Sequence, residues 1–151
     1  MPAWARIEHL TPLPLRYVFV YGTLRQGEQR DIQRMKPAPH WVGGASVLGT
    51  LYDLGSYPGL VPARLDEAGK VHGEVYAISA ALECHLDDIE EVGQQQSGEY
   101  SKQELMVNLE RAADERHHLR CLVYVIDSAR SAGLAAIASG DWVRYRREKA
   151  C

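Results

Sequence analysis

The sequence predicts one mixed domain of α and β structure, mostly strands with a few helices. Three observations predict it. Short runs of β-branched and aromatic residues recur between glycine and proline breaks, and the segment after Ser79 has helical spacing. No repeat, low-complexity run or interdomain linker divides the 151 residues. That length is enough for one hydrophobic core without disulfide staples.

Residues 1–15 read as an irregular leader broken by Pro2, Pro12 and Pro14, with the single domain over 16–151. The leader has no long apolar stretch, so neither a signal peptide nor a membrane span is expected. Residues 16–21 are the strongest strand signal of the first quarter, ending abruptly at Gly22. The polar stretch 26–36 has room for a helical turn or two. Pro37, Pro39 and the pair Gly43 and Gly44 then break the chain, and a second strand is expected over 47–54. Residues 55–59, with Gly55, Pro58 and Gly59, read as a turn. A third strand fits 71–77. Ser79 is placed to cap a helix over about 80–91 by accepting from first-turn amides. Residues 99–109 alternate polar and apolar, and 119–126 are almost wholly apolar, which suggests an outer and an inner strand. The tail from Ala132 has room for one more helix before a charged end with no evident place.

Composition narrows the function. Apolar residues make up 46% and charged residues 25%, with a net charge of -3 and both signs spread along the chain. Nucleic acid or an anionic membrane as main partner would need a concentrated basic face. The basic segment Arg144, Arg146, Arg147 and Lys149 reads as a solvated tail. Cys84, Cys121 and Cys151 form no Cys-x-x-Cys, so reduced thiols in a reducing, cytoplasmic compartment are expected, with Cys121 a small core residue. His72, His117 and His118 lack the spacing of a metal motif. Adjacent side chains diverge on a strand, so no metal site is expected.

Two segments can carry chemistry. The first strand stops at Tyr21-Gly22-Thr23-Leu24. Glycine permits backbone angles closed to other residues, so successive N–H groups can converge on an anion or a developing oxyanion. Arg25 and Gly27 add charge and freedom directly afterwards. The plainer reading is a glycine that merely ends a strand, and four residues alone favour it.

The second segment, 86–92, holds Asp87, Asp88, Glu90 and Glu91. At about 100° per residue, Leu82, Leu86 and Ile89 form the core-facing stripe. Glu90 lies roughly 70–80° from its centre, at the border, while Glu91 points away, Asp88 faces water and Asp87 lies farther round than Glu90. A border carboxylate is partly desolvated yet open to substrate, which suits an acid/base with a raised pKa. The alternative is that all four acids form a solvated helix face. The wheel says which acid to test.

Together these segments resemble the γ-glutamylcyclotransferase-like family, and most closely its γ-glutamylamine cyclotransferase branch. Residues 18–25, from Val18 through Tyr21-Gly22-Thr23-Leu24 to Arg25, resemble the family's opening strand and substrate loop. Residues 49–55, followed by Tyr57 and Pro58, are similar to its next strand and turn, and 71–76 to the strand before its catalytic helix. Residues 86–90 match the helix end that carries the catalytic glutamate, and Tyr100 stands for the tyrosine opening the following strand. The resemblance spans about 17–126, with its segments in order.

It implies an α+β fold: a small, partly closed mixed β-barrel with flanking helices and a central polar pocket. It implies Glu90 as the catalytic residue and Tyr21, Gly22, Thr23 and Leu24 as the substrate-binding loop, with Tyr100 and Tyr124 as pocket aromatics. A core role for Tyr124 fits its strand better. The chain departs from the pattern at Glu91, where a small residue is usual, in the longer stretch 93–98, and at Lys102, where arginine is frequent. All three are expected near the pocket mouth, where they would bear on substrate choice.

The implied reaction is cyclisation of a γ-glutamyl amide to 5-oxoproline and a free amine. The substrate's α-amine is the nucleophile, so no cofactor is required and the absence of a Ser/His/Asp or Cys/His signature fits. The implied partner is a small-molecule γ-glutamyl substrate, with oligomeric state open. Two alternatives share these residues: an enzyme removing a γ-glutamyl protecting group, and a non-catalytic domain binding a small carboxylate or a partner protein.

Overall fold

Alternation along the strands sorts their side chains into two apolar layers. The computed structural model describes residues 16–63, 69–90, 100–110 and 118–150. In β1 (Arg16–Val20), Val18 and Val20 join one layer and Phe19 the other. In β6 (His118–Val125), Leu122 and Tyr124 join the first layer, while Cys121, Val123 and Val125 join the second. This is the two-residue period of a pleated strand with both faces covered.

Four further strands complete the sheet: β2 (His40–Asp53), β3 (Pro58–Pro62), β4 (Lys70–Ile78) and β5 (Ser101–Leu109). Their order is β3-β2-β4-β1-β6-β5. Pairing of Ala45 and Ser46 with Leu109 and Asn108 returns β5 to β2, which closes a five-strand barrel and leaves β3 as an added edge. β1 runs antiparallel to β4 and parallel to β6, so the barrel is mixed. The expected barrel is therefore present, and closed rather than partly closed.

One layer fills the barrel with Phe19, Val47, Val71, Val75, Val107 and Val123. Helix α1 (Ala80–Glu90) packs Leu82 and Leu86 on the other, against Val18, Val20, Tyr76 and Leu122. Ser79 caps it, its Oγ accepting from the Leu82 amide at 3.2 Å. Helix α2 (Trp142–Ala150) sends buried Trp142 into the barrel layer.

Three expectations are corrected. Gly43 and Gly44 do not break the chain: β2 runs through them with an irregularity between Trp41 and Gly43. Such bulges bend a strand without ending it. Residues 58–62, read partly as turn, form β3. Its prolines sit at its two ends on an edge strand, where a missing N–H costs least. The helix expected from Ala132 begins ten residues later. A short 3-10 turn, Ser128–Ser131, precedes it, and the charged tail itself is α2. The leader 1–15, Glu91, the stretch 93–98, His117 and Cys151 lie outside the described residues.

Candidate active site

Where β1 ends, the chain turns through Gly22, Thr23 and Leu24, and the turn's carbonyls are all used internally. Gly22 O accepts from Arg25 N at 3.0 Å, Thr23 O from Arg30 N at 2.8 Å and Leu24 O from Ile32 N at 2.9 Å. The amides of Gly22, Thr23 and Leu24 have no protein acceptor among the described residues. Donors left over on a rigid turn are what an anion cradle requires.

Gly22 is needed here for a different reason from the one the sequence suggested. Its φ is not positive; among the described residues the positive-φ glycines are Gly27, Gly55, Gly133 and Gly140. A Cβ on Gly22 would lie 2.7 Å from Pro58 Cγ. The requirement is close approach of the turn to β3.

A cavity of about 310 Å³ opens beside this turn. Tyr21, Gly22, Thr23, Leu24, Glu90, Tyr100 and Tyr124 all line it, so the structure brings every candidate residue to one place. Glu90 is the last residue of α1 and half-buried, and Ile89 beside it also reaches the cavity.

Tyrosines form much of the wall. Tyr21 is buried; its hydroxyl donates to Tyr124 O at 2.5 Å and accepts from Leu60 N at 3.2 Å. Burial drives its pKa far up, and the Glu90 carboxylate pushes the same way. The Tyr124 hydroxyl donates to Asp87 Oδ1 at 2.7 Å. Its pKa is also driven far up, by burial first, then by that hydrogen bond and by the charges of Asp87, Glu90 and Glu83. Both phenols therefore remain neutral donors, and the Glu90 charge acts on each. Tyr124 unites the two roles weighed for it, a buried tyrosine that also reaches the cavity. The Tyr100 hydroxyl donates to Pro58 O at 2.7 Å, and its ring lies 6.3 Å from that of Tyr57.

Two cations are not where the sequence reading put them. Arg25 turns away from the cavity into an ion pair with Glu74 at 2.5 Å and another with Asp141 at 2.9 Å. It lines a wider cleft of about 600 Å³ together with Trp41, His72 and Glu110. None of the candidate residues lines that cleft, and its charges are largely paired with one another. Lys102 does not line the cavity either. It lies under α1, bonded to Glu83 at 2.5 Å and Asp87 at 2.9 Å. Burial works against its charge, yet these carboxylates hold the ammonium above the usual lysine range.

Sequence reasoning missed Gln29, Arg30 and Ser56 on the cavity wall. They sit in irregular segments without periodicity, and only their nearness to the glycine turn hinted at them. The basic tail is not merely solvated: Arg146 pairs with buried Glu28 at 2.7 Å, behind the same loop. His72 Nδ1 lies 3.2 Å from Glu110 Oε1, and His118 opens β6. Among the described residues no group of three or more His, Cys, Asp or Glu side chains is placed to hold a metal ion. None of their helices is long and apolar enough to cross a membrane.

A closed mixed barrel with a glycine turn and a helix carboxylate at one cavity defines a small barrel protein with a pocket of small-molecule size. The chain belongs to the gamma-glutamyl cyclotransferase, AIG2-like family, whose model matches residues 18–144. It is 35% identical over 133 residues to the gamma-glutamylcyclotransferase family protein YtfP of Escherichia coli K12, covering 83% of this chain and 95% of that one. A shorter match, 43% identical over 75 residues, joins 49% of the chain to 45% of the gamma-L-glutamyl-butirosin B gamma-glutamyl cyclotransferase of Niallia circulans. Among solved structures, an AIG2-like protein from Mus musculus superposes with a TM-score of 0.67 at 21% identity, over 83% of this chain and 87% of that one.

Proposed function

We propose that this protein converts a γ-glutamyl amide to 5-oxoproline and a free amine, with Glu90 as general acid/base. One observation carries the reading: Glu90 and the acceptor-free amides of Gly22, Thr23 and Leu24 line the same small cavity. The family membership supports the reaction class.

In this scheme the substrate's α-ammonium gives a proton to the Glu90 carboxylate. The freed amine attacks the γ-carbonyl carbon, and a carbon–nitrogen bond closes the five-membered ring. The cradle amides hold the tetrahedral oxyanion or the substrate carboxylate. As the oxyanion collapses, the original amide bond breaks, Glu90 returns its proton to the departing amine, and the ring nitrogen gives up its second proton to Glu90 or solvent to leave the neutral lactam. One carboxyl group can serve both steps because the proton it takes in the first is the one it gives back in the second. Such acid/base help is worth about 10²–10⁴-fold, and confinement in the cyclising conformer adds proximity. Neutral Tyr21 and Tyr124 complete the wall, and the scheme needs neither metal nor cofactor. Cys84, free and exposed, suits a reducing compartment, and we place the protein in the cytoplasm.

The test is 5-oxoproline release from a panel of γ-glutamyl amines, γ-glutamyl amino acids and larger amides, the last because one relative is named for action on γ-L-glutamyl-butirosin B. Release lost in Glu90→Gln, with ligand binding retained, is the expected result. Turnover surviving in Glu90→Gln refutes the mechanism. Binding without turnover across the panel would instead favour a non-catalytic pocket.

A further inference from the structure

The cavity has an enclosed end and a mouth. Val20, Tyr21, Leu24 and Tyr124 are buried at the first, whereas Gln29, Arg30 and Ser56 are exposed at the second. In a cyclisation the acyl unit common to all substrates must lie where the cradle and the acid/base meet. The amine being released extends toward the mouth and leaves through it. A charge at the mouth therefore meets the variable part of the substrate.

That charge is positive. Among the described residues lining the cavity, Arg30 is the only cation and Glu90 the only carboxylate. The arginines around it are engaged: Arg25 with Glu74 and Asp141, and Arg34 with the carbonyls of Glu28 and Gln29 at 3.1 and 2.8 Å. The Arg30 guanidinium has no acceptor among the described residues, while the backbone that carries it is held. Its amide donates to Thr23 O at 2.8 Å, and Asp31, the next residue, ties the amides of Gly27 and Gln33 at 2.8 and 2.9 Å. The residue that carries the cation is thus tied by its backbone to the cradle.

We infer that Arg30 is a specificity-determining residue that recognises a carboxylate on the amine side of the substrate. The substrates are then γ-glutamyl amides of amino acids or other anionic amines, in preference to amides of neutral or cationic amines. This rests on the γ-glutamyl reading above. Guanidinium matches carboxylate in planar, two-pronged geometry, which lysine does not reproduce. An exposed mouth screens the pair, so the preference is expected to be about 5–30-fold, between a surface ion pair and a buried charged hydrogen bond.

The test uses a matched pair differing only in the carboxylate, γ-glutamyl-L-alanine and γ-glutamylethylamine. Their kcat/KM for 5-oxoproline release is measured in the native protein, Arg30→Gln and Arg30→Lys, with thermal midpoints to confirm folding. Binding of both compounds to Glu90→Gln, with and without Arg30→Gln, is measured by calorimetry. The expected result is a native preference for the alanine compound that Arg30→Gln removes by slowing that compound alone, and that Arg30→Lys restores in part. Equal slowing of both would assign Arg30 to the shared acyl unit and overturn the inference, as would no native preference or no effect of Arg30→Gln. If neither compound releases 5-oxoproline, the cyclotransferase reading fails on this pair and binding decides the inference. Tighter, Arg30-dependent binding of the alanine compound sustains it; equal or absent binding overturns it.

Discussion

Tyr124 and Asp87 join the cavity wall to the charged pairs beneath α1, the phenol donating to Asp87 Oδ1 at 2.7 Å while Lys102 holds Oδ2 at 2.9 Å. Each carboxylate oxygen has its own donor. Tyr124→Phe removes one donor and keeps the ring, the main-chain carbonyl that Tyr21 bonds, and the Lys102 pair. A lost hydrogen bond to a carboxylate costs about 1.5–3 kcal/mol. The expected outcome is that loss in chemical unfolding and a fall in turnover of less than about tenfold, far milder than for Glu90→Gln. A loss matching Glu90→Gln would mean that the hydroxyl touches the reacting atoms.

Gly22→Ala tests why glycine stands at the cradle. The added Cβ would meet Pro58 Cγ at 2.7 Å and Cδ at 2.8 Å. Either the turn or the start of β3 must shift, at a cost of about 1–3 kcal/mol, and turnover should drop with the displaced amides. Pro58→Ala removes both ring atoms and leaves the carbonyl that Tyr100 bonds. The double variant should therefore recover much of the stability lost by Gly22→Ala. If it recovers none, the strain lies in the backbone of the turn and not in this contact.

How much of this was legible in the sequence follows from which forces are local. The strands containing Val18–Val20 and Cys121–Val125, and the helix bearing Leu82 and Leu86, were readable because their spacing repeats over several residues. Ser79 was readable as a cap because its partner is three residues away. Strand β3 was not, since its prolines signal a turn and only its pairing with β2 makes it a strand. The helical spacing of residues 86–90 picked Glu90 out from its neighbours, and the structure places it at the cavity. Arg25 misled because its partners Glu74 and Asp141 are distant in sequence. Arg30 reaches the cavity through a fold of the loop that no periodicity announces.

Helix α2 should be the acid-sensitive part of the fold. Arg25 and the Arg144 amide bond Asp141 at its start, and Tyr145 and Lys149 bond Asp53 from its body. Burial alone would raise both aspartates. These donors outweigh it and hold each below the ordinary value of 3.8. A lowered folded-state pKa gives stability that is present above 3.8 and lost as the pH falls through the folded value. Fluorescence of buried Trp142, in a protein with Trp4 and Trp41 replaced by Phe, should stay constant at neutral pH and change in that acid range. Asp141→Asn should lower stability at neutral pH by about 1 kcal/mol and flatten the acid dependence. An unchanged acid profile would show that these pairings do not hold α2.

The two described cysteines should differ sharply in reactivity. Cys84 is exposed on α1, whereas Cys121 lies in the barrel layer with its Sγ 3.6 Å from Leu119 O. Burial pushes the Cys121 thiol up to about 12. Near pH 8 only about one molecule in 10⁴ would then carry its thiolate, the reactive form. Iodoacetamide at that pH, followed by peptide mass mapping, should modify Cys84 promptly and Cys121 only as fast as the barrel opens. Adding denaturant should speed Cys121 steeply and Cys84 little, because only the former depends on exposing β6. Comparable rates for the two in native buffer would mean that β6 opens readily. Tyr124, on the same strand, could not then hold the cavity wall in a fixed position.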